Sequence, residues 1–143
     1  MKKLLLASVL ISCFSGAMAA DAPKVYFGKL DKQSNQVIAD NDVSQNKGEP
    51  VCWQAINFPA NTQIAVKERF SSPVGGNFEM LDAIREINEQ ATEHMLSYTR
   101  TTDAKGMVSN CWVFGRQDPV GLYTHTLKLN NSDAGSNQFR VVR

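Results

Sequence analysis

A chain of 143 residues, carrying 15 Lys plus Arg against 14 Asp plus Glu, is the size of one domain and close to neutral. A near-neutral, mixed-sign surface argues against nucleic-acid binding, which needs a concentrated basic footprint, and against a polybasic membrane-binding surface.

The N-terminus sets the compartment. Lys2 and Lys3 precede the apolar run Leu4 to Ile11, and Ala17-Met18-Ala19 places small side chains where signal peptidase needs them. This is the three-part layout of a secretory signal over residues 1–19, and its apolar run is far short of the roughly 20 residues that span a bilayer. Leu10-Ile11-Ser12-Cys13 offers a second export reading: lipoprotein processing that would leave Cys13 lipidated and the protein tethered to a membrane. That signal would be short, and the A-x-A site is more regular, so the expectation is cleavage after Ala19 and a single periplasmic or secreted domain over 20–143. Losing Lys2 and Lys3 leaves 13 basic against 14 acidic residues.

The mature part keeps Cys52 and Cys111. An even pair in an oxidising compartment predicts a disulfide. It would close a loop of about 60 residues, for roughly 4 kcal/mol of stabilisation through the unfolded state.

In chain order, Val25 to Leu30 reads as a first strand, with Gln36 to Ala39 as its hairpin partner across Asp31 to Asn35. Asp40 to Glu49 is polar and aperiodic and reads as a loop. Pro50 opens a strong strand, Val51 to Phe58, closed by the turn residues Pro59-Ala60-Asn61. From Thr62 to Phe70 the chain alternates, with Ile64, Val66 and Phe70 on one side and Ala65, Lys67 and Arg69 on the other; Glu68 is the exception on the apolar side. Ser71 to Asn77, containing Pro73, Gly75 and Gly76, is a turn or loop. In the next stretch Met80, Ile84, Ile87, Ala91 and Met95 recur at spacings of three and four, and Asn77 is a candidate N-cap; this predicts a helix over about 78–90, with a pair of short strands as the alternative. His94 to Thr102, Met107 to Gly115, Leu122 to Asn130 and Gln138 to Val142 read as strands separated by turns. Short strands with turn signals at regular intervals predict a mainly β fold, an antiparallel sandwich with one helix at 78–90.

The last quarter carries a specific likeness. Asp118-Pro119-Val120-Gly121-Leu122-Tyr123 leads an alternating run to Leu129, then a polar turn, then Phe139-Arg140-Val141-Val142. This resembles the closing hairpin of bacterial extracytoplasmic immunoglobulin-like or fibronectin-III-like domains. The resemblance implies an immunoglobulin-like sandwich with Tyr123 at the tyrosine corner, its hydroxyl bonded to nearby backbone. Because Cys111 precedes Tyr123 by twelve residues, the bridge differs from the antibody one and would join the Val51–Phe58 strand to the strand before the corner. Such a fold hosts many functions.

Both bridge ends read Cys-Trp. Neighbours on a strand face opposite ways, so if Cys52 and Cys111 share a face, Trp53 and Trp112 share the other. They fill the core, or one is exposed and anchors a partner.

Candidate chemistry is sparse. His94 and His125 lie in different strands, and His125 shares its face with Tyr123 and Leu127, as a satisfied semi-buried histidine does. A metal site would need more ligands than these. No serine sits in a G-x-S-x-G or S-x-x-K context, and neither histidine is marked as a base. Asp82, Glu86, Glu89 and Glu93 read as a solvated stripe. No cofactor motif appears. The sequence therefore predicts a non-catalytic exported binding or assembly module working through protein contacts in the cell envelope. Two alternatives are a secreted inhibitor or immunity-type protein presenting the loop at Pro73, Gly75 and Gly76, and a sugar- or peptide-binding domain using Trp53 or Trp112.

Overall fold

In the computed structural model the described residues are 21–143, and among them there is no helix. Ten strands run in order: β1 Lys24–Asp31, β2 Gln36–Ile38, β3 Asp42–Ser44, β4 Pro50–Ile56, β5 Gln63–Ser71, β6 Ile84–Ile87, β7 Glu93–Thr101, β8 Val108–Val113, β9 Gly121–Leu129 and β10 Ser132–Val142. They form two sheets, a four-stranded one ordered β2-β1-β4-β8 and a six-stranded one ordered β3-β10-β9-β5-β7-β6. Every pairing is antiparallel except β3 with β10.

The sheets pack through their apolar faces. On β5, Ile64, Val66, Glu68 and Phe70 are buried while Gln63, Ala65, Lys67 and Arg69 are exposed. On β9, Tyr123, His125, Leu127 and Leu129 point inward. This is the period-two alternation that a half-buried sheet imposes. Val51, Trp53 and Ala55 of β4 meet them from the opposite sheet as part of one buried cluster. The β9–β10 hairpin turns at Asn130 and Asn131, both at positive φ (50° and 65°), as a two-residue I′ turn requires.

Two expectations are corrected. The 78–90 segment is not a helix. Phe78 turns into the core and stacks on Phe70 at 4.0 Å between ring centroids, whereas Ile84 and Ile87 stay exposed on β6. The apolar residues spaced by threes and fours thus never share one buried face, and β6 pairs with β7 along the sheet edge instead. Second, Asp40 to Glu49 is not wholly loop, because β3 lies within it and pairs Val43 with Val141. The signal expected over 1–19 and the lipidation alternative at Cys13 lie outside the described residues.

Cys52 and Cys111 are bonded. They stand directly opposite on neighbouring strands β4 and β8, so the bridge lies within one sheet and ties its edge strand to the interior.

Candidate functional site

One edge of the six-stranded sheet is β6, all four of whose residues are exposed. Ile84 is 72% exposed, and three residues earlier Leu81 is fully exposed. The segment that carries them is held on both sides. Phe78 is buried, Arg100 pairs with Asp82 at 2.7 Å, and Arg85 bonds Asn77 Oδ1 at 3.1 Å. Leu81 is thus kept in solvent by a tethered backbone.

The loop after β5 adjoins this edge. Ser72 N–H donates to Thr92 O at 2.8 Å, and Gly76 N–H to Ala91 O at 3.1 Å, joining the loop to the turn between β6 and β7. Of the residues expected to form a binding loop, Pro73 is half-buried and lies against Gly121, Gly75 is exposed at φ 86°, and Gly76 is buried. A Cβ on Gly76 would stand 2.3 Å from Ser72 Oγ, so this glycine permits a close approach rather than contact with a ligand. Val74, between them, is 73% exposed. Leu81 and Ile84 place large apolar side chains along this edge, with Val74 on the adjoining loop, while Ile87, opposite His94, faces the other side of the sheet from Ile84, opposite Ser97. The sequence pattern points to the loop but not to the edge, since the spacing of Ile84 and Ile87 fits a helical face.

Trp53 is buried. Trp112 is half-buried, with Phe70 and Phe78 packed edge-on at 5.5 and 5.4 Å, and its indole N–H is directed inward. Tyr123 donates its hydroxyl to Pro119 O at 2.6 Å, a bond back to upstream backbone.

Glu68 is fully buried and lies at the centre of a polar cluster. Its Oε1 accepts from Tyr98 Oη and from Asn110 Nδ2 (3.2 Å), and its Oε2 from Trp112 Nε1 (3.0 Å) and His125 Nε2 (2.8 Å). Two donors on each oxygen match the acceptor capacity of a carboxylate. Burial opposes the charge, but the His125 bond and charge and the bonds from Tyr98 and Trp112 outweigh it, holding the carboxyl below the usual range. Burial and the Glu68 charge push the Tyr98 hydroxyl up, so it stays a donor. The donors come from β7 and β9 on one sheet and from β8 on the other, making the cluster a clamp across the sandwich. The only trace of it in the sequence was Glu68 breaking the alternation of its strand.

His94 and Ser72 also meet, with Ser72 Oγ 3.1 Å from Nε2. Nε2 lies 3.2 Å from Ala91 O as well, and a carbonyl there calls for an N–H. Nε2 therefore carries the proton and cannot take one from Ser72, while Nδ1 has no partner among the described residues to orient the ring. The pair is not an activated nucleophile. Burial keeps His94 below the usual imidazole range. Among the described residues no group of three or more His, Cys, Asp or Glu is placed to hold a metal.

Two facing sheets closed by a hairpin define a β-sandwich. Its fold is similar to that of an immunoglobulin-like protein (PA1606) from Pseudomonas aeruginosa, with a TM-score of 0.50 and 10% identity over 87% of this chain and 99% of that one. The family model of the PM0630 beta sandwich domain matches residues 25–142, and the chain belongs to that family. An uncharacterized protein, PM0630, of Pasteurella multocida (strain Pm70) is 25% identical over the full length of both chains. A likeness to the Pseudomonas fluorescens alkylpurine DNA glycosylase AlkC bound to DNA has a TM-score of only 0.44 and 8% identity, and covers 85% of this chain but 30% of that chain; it carries no functional argument.

Proposed function

We propose that this protein is a non-catalytic exported binding or assembly module that docks an envelope protein along the β6 edge. The observation that carries this reading is the exposed apolar pair Leu81 and Ile84, with Val74 on the adjoining loop, on a segment fixed by Phe78 and the Arg100–Asp82 pair. Exposed apolar clusters on a fixed backbone suit partner contacts, because little side-chain or loop ordering is left to oppose binding. A free sheet edge adds unpaired backbone groups as further contacts. Export is supported by the signal-like N-terminus and by the Cys52–Cys111 bridge, which belongs to oxidising compartments. In the native host, intact mass should show a chain beginning after Ala19; a retained Met1 contradicts export.

The docking reading is tested by comparing the parent protein with a Leu81→Asp, Ile84→Lys variant in pull-downs from envelope extract. A partner held by the parent and lost by a folded variant supports it. Equal retention by both, or turnover of a substrate by the purified chain, overturns it.

The inhibitor reading is favoured by one observation, the tethered loop that lifts Val74 into solvent between Pro73 and Gly75. It predicts that Val74→Asp relieves inhibition of an envelope hydrolase. Absence of inhibition by the parent removes it.

A further inference from the structure

The outward face of the six-stranded sheet carries an arrangement that neither the docking edge nor the core explains. Lys67 on β5 stands directly opposite Lys128 on β9, and two residues along the same face Arg69 stands opposite Thr126. Cross-strand neighbours are about 5 Å apart, close enough for like charges directly opposite each other to destabilise a sheet. Here that conflict lies mid-sheet, with a third cation beside it. These four residues, with Met95, Asn131 and Glu68, whose side chain is fully buried on the inward face of β5, line one shallow hollow.

The neighbouring carboxylates compensate only in part. Glu93 takes Arg69 at 2.9 Å, and the well-exposed Asp133 takes Lys128 at 3.3 Å. Among the described residues Lys67 has no acidic partner within salt-bridge distance. The hollow thus offers one free ammonium, a second held only at the surface, part of a guanidinium and a hydroxyl, all on one face of two adjacent strands.

We propose that this hollow is a binding site for a phosphate-bearing ligand. A phosphate monoester fits better than a carboxylate. It presents three terminal oxygens and nearly two negative charges to donors spaced on two strands, and charge-assisted bonds to Lys and Arg are the strong ones. Binding would also relieve the repulsion between Lys67 and Lys128. The hollow borders the β6 edge, since Arg69 and Met95 also line the hollow that Glu86 and Ile87 line, but its test changes Lys67 and Lys128 and the docking test changes Leu81 and Ile84, so either can fail without the other.

The test uses the disulfide-bonded protein and a Lys67→Gln, Lys128→Gln variant, followed by amide NMR. Inorganic phosphate should shift residues 67, 69, 126 and 128 saturably, beyond sodium chloride of matched ionic strength, and the variant should bind about tenfold or more weakly. Without phosphate the variant should be at least as stable as the parent, because a like-charge pair has gone. A second arm uses phosphatidylcholine vesicles with and without phosphatidic acid. Vesicle binding that needs phosphatidic acid and is lost in the variant supports the site and assigns the phosphate to a lipid headgroup. Saturable response to inorganic phosphate without vesicle binding supports it and assigns a soluble ester. Equal shifts with chloride and phosphate, an unchanged response in the variant, or a variant less stable than the parent overturns the proposal.

Discussion

Trp112 of the four-stranded sheet donates its indole N–H to Glu68 Oε2 of the six-stranded sheet at 3.0 Å. One buried carboxylate thereby holds the edge strand β8 against the opposite layer, with Asn110 as a second tie from the same strand.

Removing the acceptor should be far worse than removing one donor. Glu68→Ala strands four donors in the core and should cost about 3–5 kcal/mol, the range for breaking a buried charged network. Trp112→Phe keeps most of the packing, loses one bond to a charged group, and should cost about 1.5–3 kcal/mol. Denaturant unfolding of the two variants measures both; equal costs would show that packing, not the carboxylate, holds β8.

The clamp shows how far the sequence could be read. Alternation makes β5 and β9 legible, because one face of each is buried and the other solvated. The cysteines announced their own pairing. Glu68 was visible only as a break in the alternation, since its partners Tyr98, Asn110, Trp112 and His125 are brought to it by strand order, which no local pattern encodes. β3 goes unsignalled, and β6 is open only as the alternative to a helix, for a related reason. Each is three or four residues long, lies at a sheet edge and owes its extension to a neighbour. The spacing of Met80, Ile84 and Ile87 resembled a helix because an edge strand that leaves both faces wet places no period-two demand on its apolar residues.

Acid should weaken the fold. Burial lowers the pKa of His94 in the folded state, so the unfolded chain binds more protons. The stability this confers is complete above about pH 6.5 and is lost as pH falls. Glu68, also depressed, contributes stability present above its unfolded value of about 4.5 and lost as pH falls through its folded one. Both slopes have the same sign. Denaturation midpoints should decline as pH falls below about 6.5, and again below about pH 4.5. His94→Gln, which keeps an N–H donor, should flatten the first decline; an unaltered first decline would assign it to another group.

Reduction should be costly although the bridge joins adjacent strands. The Cys52–Cys111 link closes a separation of 59 residues, and replacing both cysteines by Ala should lower stability by about 4 kcal/mol. Unfolding of parent and variant under non-reducing conditions gives the difference, and a loss near zero would mean that the β4–β8 ladder and the Glu68 clamp suffice.

Gly76 should resist substitution while Leu81 tolerates it. Gly76→Ala places a methyl 2.3 Å from Ser72 Oγ and should cost about 1–3 kcal/mol through forced repacking. Leu81→Asp, at a fully exposed site, should change stability by no more than about 0.5 kcal/mol. A large loss at Leu81 would mean that it packs within the fold and is not available to a partner.

The docking edge is tested most directly by a photo-crosslinking residue placed singly at positions 74, 81, 84 and, as a control on another exposed apolar site, 122, with expression in the native host. The account predicts one discrete adduct of the same mass from 74, 81 and 84 and none from 122. Adducts from 122 alone, or identical adduct patterns at all four positions, would contradict it.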